Sequence, residues 1–144
     1  MSHSEHHFTK QARASVKAGN GEANISYTLK GQPHSFTTTR VSGGLSQTLI
    51  VDDAGEVAVG WKYRAGLKPG KYTFLFEDLL GVAFYASVFD EYTGSPVGTL
   101  ELTYELIGTE PDEKAKITGV ITDASVSKGT DVLKFSGDFT YIFP

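Results

Sequence analysis

The histidines are the first residues to consider, because most catalytic metal sites and many nucleophilic active sites need a histidine held by a rigid element. The chain has four, and three of them lie among its first seven residues. The fourth, His34, follows Pro33 in a segment that is typical of a turn and has no obvious partner. The sequence contains no nucleophile elbow, phosphate-binding loop or zinc-binding helix motif. We therefore expect no histidine-dependent catalysis and no cofactor.

Carboxylates offer the remaining chemistry. Glu101 and Glu105 fall on one face of an expected strand, about 13 Å apart by strand rise, which is too far for a glycosidase pair. The segment Asp52-Asp53-Ala54-Gly55-Glu56 combines oxygen donors with a bending glycine, which suits a calcium ion. Its candidate ligands are Asp52, Asp53 and Glu56. A plain β-turn explains the same residues, and the alternating spacing of an EF-hand loop is missing.

One acidic segment is the best candidate for ligand binding. Asp90, Glu91 and Tyr92 stand in an expected loop bounded by glycine and proline. Loops on a rigid β-scaffold commonly carry binding residues, so we expect an exposed Tyr92 ring beside the two carboxylates. Trp61, in contrast, shares a strand face with valines and is expected in the core.

Composition excludes several classes of protein. The chain has 144 residues, no cysteine and a formal net charge of −4. Disulfides and thiolate metal sites are thereby excluded, and the acidic balance argues against nucleic-acid partners. No apolar run approaches the roughly 18 residues of a membrane-spanning helix, and the N-terminus lacks the apolar segment of a secretion signal. We expect no membrane insertion and a cytoplasmic location for the chain as written, with non-classical export left open.

Alternation of apolar and polar residues dominates the pattern along the chain. Residues 23–30 alternate strictly, and similar segments recur between turn signals spaced roughly eight to twelve residues apart. This rhythm predicts an all-β, antiparallel β-sandwich of about nine or ten strands at 11–144, with a closed, lipocalin-like β-barrel as the runner-up. Residues 1–10 are expected to form a flexible N-terminal tail. The first strand is expected at 12–17, joined to 23–30 by a hairpin at Asn20-Gly21.

One expected strand, at 82–89, is apolar on both faces. A two-layer sandwich covers one of these faces, so a loop, the turn at 77–81 or a second copy of the chain must cover the other. The charge is also uneven: residues 1–72 carry nine basic and five acidic residues, whereas 73–144 carry four and twelve. Because oppositely charged halves favour self-contact, we expect a homodimer.

Three functions follow from these patterns. The leading interpretation is a non-enzymatic binding or assembly protein, lectin-like or protein-binding, with a carbohydrate or protein ligand. The alternative is a small β-barrel that carries an apolar molecule among Phe74, Phe76, Phe84, Phe135 and Phe139. The third is a small histidine-independent enzyme that uses tyrosine, lysine and carboxylates.

Overall fold

Short strands make up most of the chain. The computed structural model describes residues 8–19 and 21–143, and within them it contains one α-helix, one 3-10 turn and eleven strands. The helix is α1 (Lys10–Ala14), the 3-10 turn is Phe76–Asp78, and the strands are β1 (Gly21–Leu29), β2 (Gln32–Thr38), β3 (Val41–Gly43), β4 (Gln47–Val51), β5 (Ala58–Lys62), β6 (Gly70–Leu75), β7 (Leu80–Ser87), β8 (Asp90–Tyr92), β9 (Gly94–Ile107), β10 (Lys114–Lys128) and β11 (Asp131–Phe143).

The strands form two antiparallel sheets. One has six strands in the order β2-β1-β11-β10-β9-β6, and the other has five in the order β3-β4-β5-β7-β8. The sheets do not close into a barrel, so the predicted β-sandwich is confirmed and the lipocalin-like barrel is wrong. The C-terminal strand β11 lies between β1 and β10 and pairs with both. Among the described residues, no helix is long and apolar enough to cross a membrane.

Aromatic side chains form the centre of the core between the sheets. The indole of Trp61 lies 5.4 Å from the ring of Phe76 and 5.6 Å from that of Phe139, measured between centroids. The ring of Phe135 lies 5.7 Å from Phe76 and 5.3 Å from Phe84. Phe74 lies 5.6 Å from the ring of Tyr63, so all five phenylalanines considered for an apolar ligand contact other rings of the core. The expected core position of Trp61 is confirmed, since its side chain is fully buried.

A buried hydroxyl network ties the two sheets together. The hydroxyl of Thr48, on β4, lies 2.9 Å from the hydroxyls of both Tyr63 and Tyr141. Trp61 Nε1 donates to the Tyr63 hydroxyl at 3.0 Å, and the Tyr141 hydroxyl, on β11, also donates to the Gly44 carbonyl. Burial raises the pKa of both tyrosines above the ordinary value. Because each polar group has a partner, the network crosses the core without an unsatisfied hydroxyl.

The chain's own N-terminal residues cover the outer face of the five-stranded sheet. Residues 8–17, here called the N-terminal arm, place Phe8 and Val16 in a second apolar cluster. The sheet contributes the residues we call the outer patch: Leu49, Val51, Ala58, Ala83 and Tyr85. On the two-sided strand β7, Phe84 therefore belongs to the central core and Tyr85 to the outer patch. The arm, and not the turn at 77–81, therefore covers the outer face of β7.

Two expectations for the N-terminus are wrong. Residues 12–17 were expected as a strand, but residues 10–14 are helical. The Thr9 hydroxyl caps this helix by accepting from the Ala12 N–H at 3.0 Å, and Lys-Gln-Ala-Arg-Ala is a run of good helix formers. The expected tail at 1–10 also extends too far, because Phe8 is only 5% exposed. Residues 1–7, with three of the histidines, lie outside the described residues, as does Asn20 of the expected hairpin.

Candidate functional site

A groove of about 660 Å³ lies on the outer face of the six-stranded sheet. Four adjacent strands line it, with residues 33–35 of β2, 26–28 of β1, 134–136 of β11 and 123–125 of β10. The central residues of the last three segments, Tyr27, Phe135 and Ala124, pack in or against the core. Because side chains alternate along a strand, the residues that flank them face away from the core and into the groove.

Cross-strand pairing sets three serines in one row. Ser26 of β1 is paired with Ser35 of β2 on one side and with Ser136 of β11 on the other. Neighbouring strands are about 4.8 Å apart, so the row is roughly 10 Å long. Each hydroxyl supplies one donor and two acceptor positions, so the row can hydrogen-bond both donors and acceptors of a ligand.

The adjacent row supplies a cation. Lys134 of β11 is paired with Thr28 of β1 and with Ser125 of β10. Its exposed ammonium offers three donors, while the carboxylate of Asp123, also exposed, offers acceptors on the same groove. One positive and one negative group balance each other, so hydroxyl groups dominate the chemistry of the groove.

A β-bulge builds one wall of the groove. The register of β10 against β11 shifts here, so that Thr122 and Asp123 together stand opposite Ser136. Asp123 adopts a φ of 51°, a region that aspartate tolerates better than most residues. Gly98 on β9 lets the bulge approach closely, because a Cβ at this glycine would lie 2.5 Å from the Cα of Ala124. The bulge therefore turns Asp123 outward while Ala124 stays buried.

His34 lies at the groove and has a partner. It was expected alone in a turn, but it belongs to β2 and is paired with Tyr27 of β1. The two rings stack, with centroids 5.1 Å apart and planes 17° from parallel. This stacking explains how an exposed histidine is held on an edge strand.

The acidic segment predicted to bind a ligand is a strand and not a loop. Tyr92 is 0% exposed, so the expectation of an exposed ring is wrong. It is paired with Phe84, which directs its ring into the core, and its hydroxyl donates to the Asp131 carboxylate at 2.5 Å. Glu91 is exposed and paired with Tyr85, on the opposite face of the sheet, while Asp90 forms an ion pair with Lys128. The structure therefore does not bring Asp90, Glu91 and Tyr92 together, and their role in binding stays a prediction.

The carboxylate of Asp131 is held between two partners. It accepts the hydrogen bond from Tyr92 and lies 3.1 Å from the ammonium of Lys30. The Tyr92 hydrogen bond first, and the Lys30 contact second, hold the pKa of Asp131 below its ordinary value. Burial, followed by the hydrogen bond to Asp131, raises the pKa of Tyr92. The pair is a structural contact at the end of the sandwich, because the ring that it holds is inaccessible.

Two of the three candidate calcium ligands, Asp52 and Asp53, accept hydrogen bonds from the polypeptide. Asp52 Oδ1 accepts the backbone N–H groups of Glu56 at 2.8 Å and Val57 at 3.1 Å. Asp53 Oδ1 accepts from the Thr38 hydroxyl at 3.0 Å. Within residues 8–19 and 21–143, no three His, Asp or Glu side chains are grouped as metal ligands would be. The geometry of this turn is explained by hydrogen bonds within the loop.

The sequence pattern alone did not indicate the three groove serines as a site. The strict alternation of residues 23–30 did signal a polar outer face at Ser26. The row itself depends on the pairing of Ser26 with Ser35 and Ser136, and Ser136 is distant in sequence.

Compared with known proteins, the chain matches no family model, no curated protein and no solved structure.

Proposed function

We propose that this protein is a non-enzymatic binding protein that holds a carbohydrate in the groove on its six-stranded sheet. The observation that carries the proposal is the serine row Ser35, Ser26 and Ser136, with Thr28 and Ser125 beside it. A sugar presents many hydroxyl groups that donate and accept at once, and the row offers the same dual chemistry.

The size and charge of the groove support this ligand class. Its volume of about 660 Å³ lies within the range of roughly 300–1,000 Å³ that is typical of small-molecule sites. This space suits a short oligosaccharide. Lys134 and Asp123 balance each other in charge, which favours a ligand that is neutral overall.

The position of the row supports binding at low entropic cost. Ser26 and Ser136 stand on β1 and β11, which are interior strands hydrogen-bonded on both edges. The backbone of such strands is fixed before the ligand arrives, so the Cα positions that carry the serines need no ordering on binding.

The other two functions have less support. Phenylalanines that the apolar-ligand interpretation requires are packed against one another and against Trp61. Among the described residues that line the groove, Asp123 is the one carboxylate, whereas glycoside hydrolysis ordinarily uses two.

The test is a glycan array with the full chain, followed by calorimetry on any glycan that binds. The double variant Ser26→Ala/Ser136→Ala should weaken binding roughly thirtyfold, since each lost hydrogen bond contributes about 1 kcal/mol. The matched control is Thr118→Ala/Thr140→Ala, which removes two hydroxyls that lie 3.3 Å apart on the same sheet, outside the groove. This control should leave the affinity unchanged.

Two results would overturn the proposal. One is the absence of binding to every glycan on the array, and the other is an equal loss of affinity in the groove variant and the control. Thermal stabilisation by a fatty acid, without glycan binding, would favour the apolar-ligand alternative.

A further inference from the structure

The N-terminal arm is attached to the outer patch by one tightly held residue. Phe8 is 5% exposed, and its backbone N–H donates to the hydroxyl of Tyr85 at 3.0 Å. The same hydroxyl donates to the Phe8 carbonyl at 2.9 Å. The Phe8 ring occupies the space above Gly60, where a Cβ would lie 2.5 Å from the ring. The sheet thus provides a fitted pocket for a phenylalanine.

Arginines fix the rest of the arm. The guanidinium of Arg13 lies 3.8 Å from the centre of the Tyr85 ring, and it donates to the Val88 carbonyl. From the body of the protein, Arg40 donates to the carbonyl of Val16 at 3.0 Å and to that of Arg13 at 3.4 Å. The arm is therefore held through its backbone carbonyls as well as through its side chains.

The arm is also separable from the sandwich. It adds no strand to either sheet, and residues 18–20 connect it to β1. One backbone hydrogen bond ties this connection to the sandwich, from the Gly19 N–H to the Thr39 carbonyl at 3.3 Å. Within this connection Gly19 has a φ of 108°, and no atom lies within 4 Å of the position a Cβ would take. A glycine in open space allows the chain to change direction without a steric penalty.

One acidic residue of the receiving sheet stands near the basic arm. The arm carries Lys10, Arg13 and Lys17 and no acidic residue. Glu91 is paired with Tyr85 on the receiving sheet, beside the site where Arg13 stacks. This carboxylate attracts Arg13 whichever copy of the chain supplies it, while Arg40 and Lys62 of the body add two cations at the same surface.

We propose that the outer patch accepts the N-terminal arm of a second copy of this chain, which produces a homodimer by reciprocal arm exchange. Each contact of the exchanged arm repeats a contact of the closed monomer, so the two forms differ mainly in the connection around Gly19. Exchange of an identical element is a low-cost route to a dimer with closed two-fold symmetry. Protein concentration therefore sets the balance between monomer and dimer.

The test uses two full-length variants with one cysteine each, in a chain that has none of its own. Lys10→Cys marks the arm and Phe89→Cys marks the receiving surface; both positions are exposed, and the Lys10 ammonium lies 5.1 Å from the centre of the Phe89 ring. The two variants are mixed, equilibrated and treated with a short bismaleimide. Arm exchange predicts a mixed covalent dimer whose yield increases with concentration, together with a doubled mass in light scattering.

The matched control pairs Lys10→Cys with Glu105→Cys, an exposed position on the outer face of the other sheet. This pair should give no mixed dimer. A monomer at every concentration without a mixed cross-link would overturn the proposal, because the arm would then bind only its own chain. Equal cross-linking in the control would also overturn it, because random collision would explain both products.

Discussion

The phenolic oxygen of Tyr85 lies 3.0 Å from the backbone nitrogen of Phe8 and 2.9 Å from its carbonyl oxygen. One side chain therefore satisfies both backbone groups of a residue 77 positions away. A similar arrangement occurs near the surface, where the Tyr72 hydroxyl accepts from the Lys68 nitrogen and donates to its carbonyl, both at 2.8 Å. The two tyrosines make the same bonds at different depths.

Tyr85→Phe should destabilise the protein by about 1–3 kcal/mol. The ring keeps its packing, but the buried N–H and carbonyl of Phe8 lose their partner away from water. Tyr72→Phe is the matched control and should cost less than about 1 kcal/mol, because water can replace its exposed hydroxyl. Urea unfolding followed by the fluorescence of Trp61 measures both. Equal losses in the two variants would show that the Tyr85 hydroxyl is not a buried anchor.

Phe8 and Phe89 provide a second matched comparison, since the first is 5% exposed and the second 88%. Phe8→Ala should lower the free energy of unfolding by roughly 3 kcal/mol, at the low end for a buried phenylalanine because the pocket is at the surface. Phe89→Ala should change it by less than about 0.5 kcal/mol. Thermal or urea unfolding checks both values. A negligible effect of Phe8→Ala would show that this residue does not stabilise the fold, as expected of a flexible tail.

Local alternation predicted the strands and their buried faces well. Residues 23–30 alternate strictly in the sequence, and Ala23 and Ile25, on the apolar face of β1, are buried. This success has a physical cause: a strand turns successive side chains to opposite faces, so the sequence of one strand reports its own burial. The three-residue strands β3 and β8 are too short to show a period, which is why the count of nine or ten fell below eleven.

Pairing between distant strands could not be predicted in the same way. The groove exists because β11 lies between β1 and β10, and the register between them aligns Ser136 with Ser26. Neither strand's own pattern specifies that neighbour. The same limit explains Tyr92, whose acidic surroundings indicated exposure, whereas its pairing with Phe84 directs the ring into the core.

The apolar pattern on both faces of β7 predicted that its outer face needs a cover, and Phe8 and Val16 of the N-terminal arm provide one. The short helix α1 was taken for a strand because five residues are too few to establish a helical period. Thr9, as a helix-capping residue before a run of helix formers, was the signal available in the sequence.

The contact between Tyr92 and Asp131 predicts a dependence of stability on pH. An aspartate with a folded pKa below its ordinary value of 3.8 contributes stability that is fully present above about pH 4. This contribution is lost as the pH falls below 3.8 towards the lower folded value, because the carboxylate must then be protonated. Asp131→Asn should therefore destabilise the protein at neutral pH, and the difference from the unaltered chain should shrink in acid. Urea unfolding across this pH range measures it, and a difference that stays constant would contradict the prediction.

Tyr92→Phe separates the two partners of Asp131. The ring remains buried in the core, but the hydroxyl that donates to the carboxylate at 2.5 Å is gone, so only the lysines Lys30 and Lys128 remain to lower the pKa. The pKa of Asp131, followed by NMR of its side-chain carboxyl carbon, should rise towards 3.8. Lys30→Met is the companion variant and should also raise this pKa, because Lys30 lowers it both by its hydrogen bond and by its charge. An unchanged pKa in Tyr92→Phe would contradict the prediction, because the lysines alone would then hold the carboxylate in its charged form.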